Sequence, residues 1–326
     1  MNVNPSVTNN QKKTGNAPRV VVLGSLNMDL VLRVPRMPSA GETLLGQSLS
    51  QVPGGKGGNQ AVSCARQGAA VTMLSCVGQD GYADQLLNGL VGDGIDVSHV
   101  QRSTQDGTGV AVISVDDAAQ NQIVVVPGAN QHLQVPEALL EQQLRAADYV
   151  VLQFETPLDE VAQALRVARR IGCKTALNPS PMQALPADWW PMIDLLVVNE
   201  TEASQLSGTT VDTPEAAVQA AHCLQTLGVG QVVVTLGSNG AVACDAQGAA
   251  QWHRAVPVKP VDTTAAGDTF LGALTVQLAG GAALSDATQW AIRAASLCVV
   301  RAGAQPSIPH FAEVGTLTLP TPWSVL

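Results

Sequence analysis

Continuous apolar runs that stop at small or polar residues recur along this chain, with amphipathic stretches between them. No other feature limits the fold as strongly. "VVVLGS" from Val20, "YVVLQFE" from Tyr149, "DLLVVNE" from Asp194 and "QVVVTLGSNG" from Gln231 are unbroken rather than alternating. That is the pattern of strands buried on both faces. Between them lie segments of helical period, such as "NQAVSCARQGA", "LDEVAQALRVARRIG", "TPEAAVQAAHCLQTLG" and "LSDATQWAIRAASLCVVRAG". Strand and helix in turn predict an α/β chain: a mostly parallel sheet wrapped by helices.

Two stretches break the rhythm. "LVLRVP" with "ETLLGQSLSQV", and "TGVAVISVDD" with "QIVVVPG", are short and partly alternating. They are expected to form antiparallel strands over about 30–52 and 106–127, pairing as a small β-sheet lid on the main domain. The polar opening "MNVNPSVTNNQKKTGNAPR" lacks the apolar stretch of a signal peptide. Residues 1–18 are expected to be a disordered extension, with the α/β domain over 19–326. No run approaches the about 18 apolar residues needed to cross a bilayer.

Composition narrows the partners. A formal net charge of -9 opposes attachment to nucleic acid or an anionic membrane. The six cysteines are scattered, with no CxxC pair. They are expected to be reduced core thiols of a cytoplasmic protein.

In an open parallel sheet, ligands bind beyond the carboxyl ends of the strands. Those positions here carry Asn27 and Asp29, then Glu155, then Asn199, Glu200 and Glu202, then "LGSNG". Taken singly, each also suits a turn or a helix cap. "PGGKGGNQA" sets four glycines around Lys56 before a helix expected to open at about Asn59. It has neither the spacing of a P-loop nor that of a dinucleotide fingerprint. Its glycines permit close backbone approach, and Lys56 and Asn59 can donate to hydroxyls; a flexible lid hinge is the other possibility. In "DTTAAGDTFLGAL" a helix begins behind Ala265, Ala266 and Gly267, so unpaired N–H groups and the positive helix end can receive an anion. Asp268 beside it can accept a hydroxyl proton during attack on phosphorus, or it can simply cap the helix.

Together, "GSLNMD", "GETLLG", "GGKGGNQA", "NPSP", "NETEA", "TLGSNG", "VDTTAAGDTFLGAL" and "GAQPSIP", in this order over about 19–310, resemble the ribokinase-like (PfkB) carbohydrate kinase family. The resemblance implies a Rossmann-like, mostly parallel sheet with helices on both faces that carries ATP, a β lid that closes over the sugar, and ATP-dependent phosphorylation of D-ribose at its 5-hydroxyl. Asp268 would be the base, and the backbone amides of Ala265, Ala266 and Gly267 the anion hole. Asn27, Asp29, Gly55, Lys56, Asn59 and Glu155 would hold the sugar. Asn199, Glu202, Thr235, Gly237, Ser238, Gly240 and Gly267 would line ATP and its Mg²⁺. A K⁺ site would fall on Asp262 and Thr264, the backbone around Cys298, Arg301 and Gly303, and the Ser307 hydroxyl, and a homodimer would form through the lid. The wider family commonly has a glycine where this chain has Ala265 or Ala266.

Within that resemblance, a nucleoside substrate calls for aromatic faces, yet the expected lid segments contain no Phe, Tyr or Trp. A sugar phosphate calls for further cations, and the sugar-side motifs supply Lys56 alone. A small neutral sugar fits best. Kinases of another pentose, of deoxyribose or of a nucleoside stay open as alternatives, as does a sugar-binding sensor without catalysis. A dehydrogenase is disfavoured, because no GxGxxG follows the first strand.

Overall fold

The computed structural model describes residues 17–118 and 120–317. The extension expected over 1–18 lies, as far as residue 16, outside the described residues, and so do the final residues 318–326. β1 (Arg19–Leu23) leads to β2 (Asn27–Arg33), β3 (Ser48–Gly54), α1 (Lys56–Arg66), β4 (Ala70–Val77), α2 (Gly81–Gly92) and β5 (Val100–Arg102). β6 (Gly109–Val115), β7 (Asn121–Val126), α3 (Glu137–Arg145) and β8 (Tyr149–Leu152) follow. Next come α4 (Leu158–Ile171), β9 (Lys174–Leu177), β10 (Leu195–Asn199), α5 (Glu200–Ser207), α6 (Pro214–Thr226) and β11 (Gln231–Thr235). β12 (Ala241–Cys244) and β13 (Ala250–His253) precede α7 (Ala266–Ala279), α8 (Leu284–Cys298) and α9 (Phe311–Thr316).

Nine strands form the main sheet in the order β13-β12-β11-β10-β9-β8-β1-β4-β5. Every pairing from β11 to β5 is parallel; β12 and β13 add an antiparallel edge. The period of two divides each buried strand between two cores. Val21 and Leu23 pack with Leu140, Leu165 and Leu224 of α3, α4 and α6, whereas Val20 and Val22 pack with Val62, Leu86, Leu274 and Ile292 of α1, α2, α7 and α8. Burial of each such aliphatic side chain contributes roughly 1.5–3 kcal/mol. Helix ends obey local rules as well: α4 has Asp159 and Glu160 in its first turn, Arg169 and Arg170 in its last, and left-handed Gly172 as its stop.

The second sheet is small, in the order β3-β2-β6-β7. β7 pairs only with β6, and Ile123, Val124, Val125 and Val126 are all exposed.

Several elements depart from the sequence expectations. "ETLLGQSLSQV" is a strand only from Ser48; residues 34–47 are irregular, and Leu45 is exposed. Helix α1 opens at Lys56 rather than about Asn59. The cause is tertiary, because partners elsewhere in the fold satisfy its first N–H groups. Sequence analysis missed α3, α5 and the β12–β13 hairpin, whose short segments carry little period of their own.

Candidate active site

The main sheet reverses its winding between β1 and β8, and the crevice beyond their ends is where α/β sheets bind ligands. Gly24 and Ser25 leave β1 there; Gln153, Phe154 and Glu155 leave β8. Helix α1 starts in this crevice. The Lys56 amide donates to Glu155 Oε2 at 3.0 Å, the Gly57 amide to Ser25 Oγ at 3.3 Å, and the Gly58 amide to the Ser25 carbonyl at 2.9 Å. Ser25 Oγ in turn donates to Glu155 Oε2 at 2.5 Å. Close approach is obligatory here, since a Cβ on Gly57 would lie 2.5 Å from the Gly24 carbonyl carbon. Gly55, at φ +84°, adopts the left-handed conformation that glycine tolerates. "PGGKGG" is therefore a tightly packed helix start.

The expected sugar ligands gather around this start. Asn27 Oδ1 accepts from Asn130 Nδ2 at 2.7 Å, which leaves the Asn27 amide hydrogens free to donate. Asn130 also accepts from the Leu26 amide at 2.9 Å, so it locks the entry to β2. Sequence analysis missed Asn130 and Ser25, whose signals look like ordinary turn chemistry. Asp29 is buried, and its carboxyl is pushed up to about 7 by burial first, then by the charges of Glu155 and Asp268. At neutral pH it can thus both donate and accept. The Lys56 side chain has no hydrogen-bond or ion-pair partner among the described residues.

Asp268 lies in the first turn of α7, 8% exposed. Its Oδ2 accepts from Asn59 Nδ2 at 3.0 Å and its Oδ1 from Gln60 Nε2 at 2.8 Å. Close packing of α1 on α7 brings these groups together, because a Cβ on Gly272 would fall 2.4 Å from Ser63 Cβ. Ahead of Asp268, Ala265 has φ 60°, the only positive φ outside glycine among the described residues. This conformation disfavours a side chain by roughly 1–2 kcal/mol. The Ala266 amide donates to the Thr263 carbonyl at 3.2 Å, whereas those of Ala265 and Gly267 have no partner among the described residues. Asp268 does not cap the helix with its side chain.

On the far side of this turn lies a cavity of about 640 Å³. Asn199, Thr235, Gly237, Ser238, Gly240 and Gly267 line it, as does Ala266. Its apolar wall of Val256, Pro257, Phe270 and Ile292 escaped the sequence analysis, because these residues look like core or loop. Glu202 is not in the lining. It forms a capping box with Asn199: its Oε2 accepts the Asn199 amide at 3.0 Å, and Asn199 Oδ1 accepts the Glu202 amide at 2.8 Å.

The residues expected at a monovalent cation converge beside the same turn, Cys298, Arg301 and Gly303 through their backbone. Asp262 accepts from the Thr264 amide and the Gly303 amide, both at 2.9 Å. Cys298 Sγ lies 3.0 Å from Ser307 Oγ. Burial raises the Asp262 carboxyl, but hydrogen bonds from Thr264 and Gly303 prevail and leave it below its ordinary value. Arg301 instead reaches Glu313 at 2.6 Å, so only its backbone is available there. Among the described residues no group of three or more His, Cys, Asp or Glu could hold a metal ion. The oxygens of Asp262, Ser307 and nearby carbonyls suit a hard monovalent cation.

The chain is 39% identical over 295 residues to a ribokinase of Haemophilus influenzae, covering 90% of this chain and 96% of that protein. It is 39% identical over 308 residues to a ribokinase of Schizosaccharomyces pombe, with 90% and 96% covered. Among solved structures, Arabidopsis thaliana ribokinase complexed with ribose and ATP superposes with a TM-score of 0.86 at 33% identity, over 92% of this chain and 98% of that one. The profile of the pfkB family carbohydrate kinases matches residues 17–310, which include both glycine-rich helix starts and Asp268, so the chain belongs to that family.

Proposed function

We propose that this chain transfers the γ-phosphoryl group of ATP to the 5-hydroxyl of D-ribose, giving D-ribose 5-phosphate and ADP. The observation that carries this reading is the place of Asp268. It accepts from Asn59, and its charge acts with that of Glu155 on Asp29, while the turn before it faces the 640 Å³ cavity. Asn27, Asp29, Gly55, Lys56, Asn59 and Glu155 hold the sugar hydroxyls. Asp268 takes the 5-hydroxyl proton as the new O–P bond forms and the bond from the γ-phosphorus to the bridging oxygen breaks. The free amides of Ala265 and Gly267 meet the charge on the moving phosphoryl group; Ala266 joins them when its bond to Thr263 opens.

ATP occupies the cavity between Asn199, Thr235, Gly237, Ser238 and Gly240. Mg²⁺ entering with the nucleotide would neutralise phosphate charge, with Asn199 in the cavity lining and Glu202 behind it, orienting Asn199 through the capping box. K⁺ held by Asp262, Thr264, Ser307 and the backbone at Cys298, Arg301 and Gly303 would order the turn at Ala265. The β2-β3-β6-β7 sheet serves as a lid over the sugar. Its bare edge strand β7 pairs with the lid of a second copy, since an uncovered apolar edge favours association. The six free cysteines, five of them buried, suit the cytoplasm. Among the described residues no helix is long and apolar enough to cross a membrane.

The direct test is ADP release from ATP and Mg²⁺ with ribose, deoxyribose, fructose, adenosine or fructose phosphate, each with and without K⁺. Ribose-dependent turnover that rises with K⁺ is the expected result. Turnover only with another acceptor would replace ribose, and silence throughout would favour a sensor. For the lid, Val124→Lys should weaken self-association in sedimentation by about tenfold or more; an unchanged dimer would move the interface elsewhere.

A further inference from the structure

Neighbouring residues on a helix point about 100° apart, so Asn59 and Gln60 approach Asp268 from different sides. Asn59 belongs to the sugar recess, and its Oδ1 has no partner. Gln60 is fully buried, as is Gln153, whose Nε2 donates to Gln60 Oε1 at 2.7 Å. The direction of this chain is forced. A carboxylate only accepts, so Gln60 must turn its NH₂ toward Asp268 Oδ1 and its oxygen toward Gln153. Gln153 must then present its own NH₂, and its Oε1 is left at the end, buried and unpartnered beside Gly24. Buried polar atoms are seldom left unpaired without a reason. Here the unpaired acceptor lies two side chains from Asp268, and Asp268 keeps its donor.

We propose that Gln60 is a positioning residue for Asp268, oriented by Gln153, which fixes the carboxylate plane whether or not sugar is bound. The inference rests on the reading of Asp268 as the base. The terminal torsion of an aspartate is broad, so hydrogen bonds rather than rotamer preference must set the plane. Asn59 has to serve the sugar hydroxyls, whereas Gln60 faces no cavity and has no other acceptor among the described residues. Gln153 is two residues before Glu155, so one segment sets both a sugar ligand and the base.

The test compares the full-length parent, Gln60→Met and Gln153→Met with ribose and ATP, each also in an Asp268→Asn background. Gln60→Met should lower kcat by about 10- to 100-fold, with KM for ribose and ATP within about threefold. The acidic limb of its kcat/KM profile should move to higher pH, because a carboxylate that loses a donor ionises less readily. Gln153→Met should act in the same direction but more weakly. In the Asp268→Asn background either change should alter residual turnover by less than about twofold. Unaltered kcat in Gln60→Met, a superposable pH profile, or an equal loss without Asp268 would each overturn the positioning role. If Gln60→Met fails to fold, Gln153→Met decides by the same three readouts. A parent inert toward ribose overturns the kinase reading itself, whereas an active parent with indifferent glutamine variants overturns only this inference.

Discussion

Two helices begin at the site behind small residues, and they use their N-termini in opposite ways. At α1 the amides of Lys56, Gly57 and Gly58 are all taken by Glu155 and Ser25. At α7 the Ala265 and Gly267 amides have no partner among the described residues, and Gly267 borders the cavity of about 640 Å³. The sequences look alike, since each offers glycines, a polar residue and then a helix. The first positive helix end is neutralised from within by the Glu155 carboxylate, whereas the second is left open to an external anion. The partners of the first-turn amides, more than glycine content, decide which helix start is architecture and which is a phosphate site.

The contrast predicts where substitutions hurt. Asp268→Asn, at the open start, should cut ribose-dependent turnover by roughly 10²- to 10⁴-fold with the fold intact, measured by ADP release and thermal unfolding. Near-parental turnover would remove Asp268 from the role of base. At the filled start the consequence concerns stability and pH. Asp29 in the folded chain keeps its proton to about pH 7, against an ordinary value of 3.8. Between those values the folded state holds more protons than the unfolded state, so ligand-free stability falls as pH rises, by at most about 4 kcal/mol. Asp29→Asn should flatten that slope, and a slope unchanged in the variant would assign it to other groups.

Smaller effects come from the glycines themselves. Gly57→Ala drives a Cβ into the Gly24 backbone and should destabilise by about 1–3 kcal/mol in denaturant unfolding. Gly267→Ala meets no atom within 4 Å, so its stability should stay within about 1 kcal/mol of the parent. Its methyl group narrows the anion turn, and KM for ATP should rise roughly three- to tenfold. If Gly267→Ala proved the more destabilising of the two, the assignment of filled and open helix starts would be reversed.

Much of this was legible in the sequence because the informative residues sit at strand ends and helix starts, where polar side chains are conspicuous against apolar runs. Asp268, Asn59 and Glu155 stand out in that way. Other features depend on what the fold brings alongside. Nothing local to "KGGNQ" says that Glu155, 99 residues away, satisfies the Lys56 amide and starts α1 early. Glu202 looks like a cavity residue until its bond to Asn199 makes it a cap. Gln60, Gln153 and Asn130 look like unremarkable amides, and only their burial and direction of donation give them a place.

The contact of Asn59 with Asp268 joins residues 209 apart in the chain. Helix α1 is made early in synthesis and must wait for α7 before the base has its donors. The kinase centre is thus among the last features a growing or refolding chain can complete, because contacts distant in sequence carry the loop-closure entropy of everything between them. During refolding, recovery of phosphoryl transfer should lag behind recovery of helix content and report arrival at the fully packed chain.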